Sequence, residues 1–498
     1  MGGARTGGWA RTPGGPEGQG AGAGARAGRR SRSRRLLGLG AVAGCALLLA
    51  ACGGGGGEDG ARGGPAPSAR KAPAVRPVPA GKGSKAESDF NGDGARDLVL
   101  NDLVKADSHG DDTGIGVVYG SDSPGGSGAG TTDTPADEKA GARAGGDAEA
   151  RTDGDAGAGG GGLRPAVRQL LTPAAQAARV KGELPATFDA EAVCDLDGDG
   201  FSDLVVSTDP PYDGQGRPPV PLQLLFGSPK GLTGKAVVLR IPDRARYGND
   251  WPDQPVCGDF DGDGTADLVV HATGGRLSFL RGPFSRQGAP RTAGKALRSP
   301  GSVPTGPAAD IDDDGYDDLL VRAGGQNSTS SVVLGSAKGP NTTGVLLPAG
   351  TGAVFGDFGR GKGTDAAIGT PTAVALRYGI PGTLRGTLDL PGTDLHAADF
   401  DGDGTDDLVT GGKRIRVLPG GPKGLTTTDA VTVRPPSSGE TRVLETADFD
   451  GDGRADLVLR TVRGGAADTV AVYPGRADGL VAGRPEVTFS TAEFLGME

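Results

Sequence analysis

Histidine is nearly absent from this chain. His109, His271 and His396 are the only three in 498 residues, and none stands in a recognisable nucleophile or zinc-binding spacing. His271 directly follows an apolar run and reads as structural. Aromatic residues make up 4% of the chain, so any aromatic cluster is conspicuous. The four cysteines are too few and too scattered for a metal site. The longest apolar run, Leu36–Ala51, is too short for a comfortable membrane span. Basic residues are outnumbered: the net charge is −10, which argues against nucleic acid as a partner. A carboxylate pair for glycoside cleavage would have to come from a stretch such as KADSHGDD, Lys105–Asp112, which reads as a solvated loop.

Aspartate and glycine are abundant, and they recur in one phrase. DFNGDGARDLVL starts at Asp89, DLDGDGFSDLVV at Asp195, DFDGDGTADLVV at Asp259, DIDDDGYDDLLV at Asp310, DFDGDGTDDLVT at Asp399 and DFDGDGRADLVL at Asp448. A degenerate copy, DFGRGKGTDAAI, starts at Asp357. After a long first gap the spacing is that of a unit of roughly 40 to 60 residues, as in propeller blades.

Oxygen donors at positions 1, 3, 5 and 9, with Gly at position 6 for the sharp turn, suit a hard cation of calcium's size. The ligand sets are Asp89, Asn91, Asp93 and Asp97; Asp195, Asp197, Asp199 and Asp203; Asp259, Asp261, Asp263 and Asp267; Asp310, Asp312, Asp314 and Asp318; Asp399, Asp401, Asp403 and Asp407; and Asp448, Asp450, Asp452 and Asp456. About six calcium ions follow, one per intact loop. The rival is a solvated Asp/Gly turn without metal. An EF-hand is excluded because position 12 is Leu100, Val206, Val270, Val321, Thr410 or Leu459 instead of Glu. In the degenerate copy Gly359 and Gly361 replace two donors, so no calcium is expected there. Lys362 either sets its ammonium between Asp357 and Asp365 or lies in a loose surface turn.

Each loop runs into a β-branched and Leu-rich strand, then a second strand closed by a Gly turn, as in LQLLFGSPKGL or VAVYPGRADGL, then a third such as AVTVRP. The strand entering the next loop makes four. The expected fold class is all-β: a seven-bladed β-propeller of four-stranded antiparallel blades over residues 86–498, with a disordered N-terminal tether. Either AVRPVP, Ala74–Pro79, or EVTFSTAEFLG, Glu486–Gly496, is able to supply the strand that closes the ring.

The Asp-rich loop followed by the apolar strand and the YGS…GL strand-turn resembles the FG-GAP or VCBS repeat family, which includes the integrin alpha-chain propellers. The resemblance implies calcium rigidifying the loop between the first and second strands of a blade. It also implies ligand binding on the opposite face, through the loops between strands 2 and 3 and between blades. Family membership fixes fold better than function.

Residues 1–51 read as a signal peptide: RRSRSRR, Arg29–Arg35, precedes the apolar run. Its end, LAAC, resembles a bacterial lipobox and makes Cys52 the lipidated residue, with export by the Sec or the twin-arginine route. The expected location is the outer face of the bacterial cytoplasmic membrane. Residues 52–85 form a Gly/Pro/Ala linker with a reach of about 30–35 Å, and 121–162 are a second low-complexity stretch inserted into blade 1. Residues 1–51 hold eight Arg against one Glu, so the remainder stands near −17. Metal binding should therefore appear as folding stability.

Cys194 and Cys257 precede the loops of neighbouring blades and form either an inter-blade disulfide or two buried thiols. The longest loops on the face opposite calcium carry Tyr212, Tyr247 and Trp251, a candidate ligand site, although packing of Trp251 against a blade edge is the plainer reading of that residue. The functional expectation is a non-enzymatic binding or adhesion module for a glycan or protein ligand. The alternatives are a polysaccharide-active enzyme on the same scaffold and a structural scaffold that docks a partner protein.

Overall fold

An apolar run without alternation is what a strand covered on both faces requires. The computed structural model describes residues 74–103, 114–121, 161–209, 221–249, 252–301, 303–322, 329–341, 344–380, 382–463 and 467–495, and there each run after an acidic loop is the second strand of a blade. The described residues form an all-β, seven-bladed propeller.

Blade 1 is β1 (Leu98–Leu103), β2 (Gly114–Val118) and β3 (Arg168–Leu171), and the one-turn α1 (Pro173–Gln176) follows. Blade 2 is β4 (Thr187–Cys194), β5 (Asp203–Asp209), β6 (Gln223–Leu225) and β7 (Val237–Val238), followed by α2 (Asp243–Arg246). Blade 3 is β8 (Val256–Gly258), β9 (Asp267–Ala272), β10 (Arg276–Arg281) and β11 (Thr292–Ala293), with β12 (Leu297–Arg298) also on β10. Blade 4 is β13 (Val303–Ala309), β14 (Asp318–Arg322), β15 (Thr329–Val333) and β16 (Leu346–Ala349). Blade 5 is β17 (Gly352–Gly356), β18 (Asp365–Gly369), β19 (Val374–Tyr378) and β20 (Leu384–Leu388). Blade 6 is β21 (Leu395–Ala398), β22 (Asp407–Thr410), β23 (Ile415–Leu418) and β24 (Val431–Val433). Blade 7 is β25 (Glu440–Ala447), β26 (Asp456–Val462) and β27 (Thr469–Tyr473); a hairpin of β28 (Gly475–Arg476) and β29 (Leu480–Val481) precedes its outer strand, β30 (Val487–Ser490), and α3 (Ala492–Leu495) ends it.

Seven apolar clusters lie between successive blades and account for the ring. Val99 meets Leu204 and Val206 between blades 1 and 2, while Leu98 and Leu100 face Leu444 and Val458 between blades 7 and 1. Alternate residues of each second strand thus serve the blade before and the blade after. The residue at loop position 2 joins the same layers: Phe90, Leu196, Phe260, Ile311, Phe358, Phe400 and Phe449 are all buried. Each packs with the following blade, and Phe449 closes the circle onto blade 1.

Blade 1 departs from the four-stranded expectation. Its loop comes before β1, so the strand it lacks is the inner one, and β1 pairs with β2 alone. Only Ser88 holds the missing register, its carbonyl accepting the Asp97 N–H at 2.9 Å. AVRPVP forms no strand, whereas EVTFS becomes β30 and completes blade 7. Side chains close the seam instead. The Asn101 amide exchanges two hydrogen bonds with the backbone of Ala190 in β4, at 2.9 and 2.8 Å. Arg460 on β26, 4% exposed, donates to the carbonyls of Asn101 and Asp102 and pairs with Asp468 at 2.8 Å. Unpaired strand carbonyls in a buried edge are costly, and the guanidinium satisfies them without a strand. Phe494 of α3 packs beside β2, with the Arg168 guanidinium 5.9 Å from its ring. The two ends of the blade 1 insertion meet where Gly162 N–H donates to Ser121 O at 3.0 Å.

Candidate metal centres

Every Asp loop joins the inner strand of a blade to the second, or in blade 1 stands at the equivalent place. Residues at positions 4 and 6 have positive φ, for example +75° at Gly198 and +87° at Gly200, which turns successive backbone N–H groups inward. The position 1 carboxylate collects them: Asp195 accepts Gly198 N–H and Gly200 N–H, each at 2.8 Å, and Asp399 and Asp448 accept the corresponding pairs. Position 5 accepts the N–H of position 7, as Asp403 does from Thr405 at 2.8 Å.

Position 9 has a second duty that sequence reasoning missed. One oxygen of Asp203 accepts the Leu196 N–H and the other the Gly227 N–H, both at 2.9 Å. Asp97, Asp318, Asp365, Asp407 and Asp456 do the same between position 2 and the Gly that ends the third strand, and Asp267 binds the Gly282 N–H. Burial pushes these carboxyls up: Asp203 and Asp456 to about 8, Asp267 and Asp407 to about 7, Asp318 and Asp365 to about 6. Asp97 is raised well above the ordinary range for the same reason. The signal in the sequence was there: the degenerate copy drops positions 3 and 5 yet keeps Asp365.

Position 3 leaves one oxygen without a hydrogen-bond partner in loops 1 to 4, whereas Asp401 and Asp450 accept the position 5 N–H in loops 6 and 7. Oδ1 of Asn91, Asp197, Asp261 and Asp312 is buried with no hydrogen-bond partner. Carboxylate oxygens converge within 4.8 Å in five loops: Asp195, Asp197 and Asp199; Asp259, Asp261 and Asp263; Asp310, Asp312 and Asp318; Asp399, Asp401 and Asp407; Asp448, Asp450 and Asp456. Orphaned oxygens aimed into an all-oxygen cluster fit a hard divalent cation, so these loops are able to hold metal ions. Asp203, Asp267, Asp314, Asp403 and Asp452 lie in the same loops but outside those closest triads, and Asp89, Asp93 and Asp97 of loop 1 form no such triad. Arginines crowd loops 2 and 3: Arg286 of blade 3 contacts Asp197 and Asp199, Arg281 lies 3.1 Å from Asp261, and Arg291 contacts Asp263.

Loop 5 is built differently. Lys362 occupies position 6, and positive φ moves to Gly359, Gly361 and Gly363. Asp357 then collects only the Gly359 N–H, at 2.9 Å. Among the described residues Lys362 makes no ion pair with Asp357 or Asp365.

Neighbouring loops are also tied to one another. The Asp89 carbonyl accepts Ser202 N–H at 2.8 Å, Asp259 accepts Asp317 N–H at 3.0 Å, Asp357 accepts Asp406 N–H at 2.6 Å and Asp399 accepts Ala455 N–H at 2.8 Å. Cys194 and Cys257 are joined by a disulfide, Cα–Cα 6.3 Å, linking the inner strands of blades 2 and 3 directly beside their loops. Tyr247 is 52% exposed, with φ +51° and the Arg276 guanidinium 4.2 Å from its ring centroid. Tyr212, Trp251, Cys52, His109 and the stretches 1–73 and 122–160 lie outside the described residues.

A ring of antiparallel blades with a cation-fitting Asp loop between first and second strands defines a metal-loop β-propeller. The model of the FG-GAP-like repeat family matches residues 195–270 and 399–459, each span running from one acidic loop into the strand after the next loop. A comparison with curated proteins returns no match. Among solved structures, the chain is similar to a crystal structure of BBS1N in complex with ARL6DN, soaked with mercury. The two share 16% identity over 58% of this chain and 92% of that chain, at a TM-score of 0.34, a likeness that carries no inference about function.

Proposed function

We propose that this propeller is the calcium-loaded head of an exported lipoprotein and acts as a non-enzymatic binding or adhesion module for a glycan or protein. The observation that carries the reading is the convergence of acidic oxygens in loops that are themselves woven into the rim. A cation held there braces one blade against the next and leaves the opposite face for a ligand. That face carries the turns between strands 2 and 3 and the connections between blades. Tyr247 sits on one such connection, exposed yet fixed by its stack on Arg276 and by the Thr273 hydroxyl, which donates to its carbonyl at 2.6 Å. A rigid exposed aromatic is a favoured contact for sugars and proteins alike.

The test is binding of the purified full chain to an array of glycans and cell-wall polymers, in calcium and in EDTA, beside Tyr247→Ala. Calcium-dependent binding to a defined sugar, weakened at least about tenfold by the substitution, is expected. Release of reducing or unsaturated sugars would overturn the non-enzymatic reading. Membrane anchoring is checked separately: Cys52→Ser should move the protein from the membrane fraction to the soluble one.

A further inference from the structure

Loop 1 differs from the other intact loops in three respects that share a cause. It alone has Asn at position 3. Its residues 89–92 are buried, whereas positions 4 and 5 are exposed in loops 2, 3, 4, 6 and 7. A stretch of chain also lies across it. Gly81 N–H donates to Asn91 O at 3.0 Å, and the N–H groups of Lys82 and Gly83 both donate to Gly92 O, at 2.9 and 3.1 Å. Ser84 N–H reaches Gly200 O in loop 2 at 2.7 Å, and the Ser84 hydroxyl donates to Asp89 Oδ2 at 2.6 Å.

The side chain of Asn91 is read by this cover. Its Nδ2 donates to Pro79 O and to Asp93 Oδ2, each at 3.0 Å, which leaves Oδ1 fully buried and without a partner. An Asp in this place would set an anionic oxygen against the Pro79 carbonyl, which accounts for Asn here and Asp in the uncovered loops.

We propose that residues 79–84 are part of the loop 1 cation site: they close it over the ion, and Pro79 and Ser84 orient Asn91 Oδ1 and Asp89 towards it. The inference rests on the calcium reading above. An ion held this way leaves only when the cover lifts, and by reciprocity whatever the cover adds to ion affinity the ion adds to docking of the cover. The point where the chain enters the propeller is thereby locked by metal. Asn91 and the cover are positioning elements; the charge on the ion is met by Asp89, Asp93 and Asp97.

The experiment uses the calcium-loaded full chain and two readouts. Mixing with a chromophoric chelator should release one ion in a separate phase at least about tenfold slower than the others, as expected for a site gated by local opening. Trypsin should leave the Lys82–Gly83 bond intact in calcium and cut it at least about tenfold faster in EDTA. In Gly81→Val the new Cβ would fall 1.9 Å from Gly92 O, so the cover cannot seat. That variant should merge the slow phase with the fast one and open Lys82 in calcium while the remaining loops stay loaded. Asn91→Asp, which by charge alone should tighten binding, should do the same. A single fast phase in the parent chain, or an Asn91→Asp variant that keeps the slow phase and the protected Lys82, would overturn the cover while leaving the calcium reading intact. No bound calcium at all would overturn both.

Discussion

Asp365 offers the sharpest test of how these loops divide their carboxylates between structure and metal. It is 1% exposed, accepts the Phe358 N–H at 2.9 Å and the Gly379 N–H at 2.6 Å, and belongs to the loop that lacks acidic donors at positions 3 and 5. Asp365→Ala leaves two buried N–H groups unsatisfied, each a loss of about 1–3 kcal/mol. The carboxylate already bears the burden of its own burial, which raises its pKa to about 6, so a net loss of about 3 kcal/mol is the central expectation. For a cooperative unit of roughly 400 residues that is about 3 °C in Tm, read by calorimetry, and the fall should be equal in calcium and in EDTA. Asp407→Ala removes the same pair of bonds, to Phe400 and Gly420 at 3.0 and 2.9 Å, from a loop that also holds a cation cluster. It should match Asp365→Ala in EDTA and lose about 2.7 kcal/mol more in calcium at a hundredfold excess over Kd. A neutral Asp365→Ala, or one whose effect appears only in calcium, would refute the division of labour drawn here.

Acidity separates the same two roles. The raised carboxyls bind protons more tightly folded than unfolded, so the stability tied to them is complete below about pH 4 and is lost as pH climbs through about 6 to 8. Metal-free protein should therefore melt higher at pH 5.5 than at pH 8 and calcium-loaded protein lower; identical pH profiles with and without EDTA would contradict this. Reducing the Cys194–Cys257 bond, which spans a sequence separation of 63, should destabilise by about 4 kcal/mol on chain entropy, and a reduced protein with unchanged Tm would show that blades 2 and 3 need no staple. Arg460→Met should destabilise by about 3 kcal/mol, because it strands the Asn101 and Asp102 carbonyls and the buried Asp468. If its urea midpoint matches that of the parent, the seam does not depend on the guanidinium.

The loops and second strands were legible because both rest on short-range rules: oxygen donors at fixed spacing, then an apolar run too continuous for a one-sided sheet. Position 2 was equally visible as a recurring Phe, Leu or Ile, but its role between blades depends on contacts with the next repeat, which a single repeat does not encode. The double bonding of Asp365 and its counterparts was hidden behind the metal reading, since one residue type serves both purposes. Blade 1 was the least readable part. Its missing inner strand is replaced by the side chains of Asn101 and Arg460, and Arg460 lies more than 350 residues from β1 in sequence.

The seam between blades 7 and 1 also sets an order of events during synthesis. Blade 1 is made first, and the Asn101 and Asp102 carbonyls on its β1 edge lack their partner until Arg460 of the last blade has been made. A nascent or prematurely terminated chain therefore carries a bare hydrogen-bonding edge through nearly the whole of its production, the kind of edge that recruits a second chain. The final blade acts as an assembly checkpoint, and only a chain translated through it protects its own beginning.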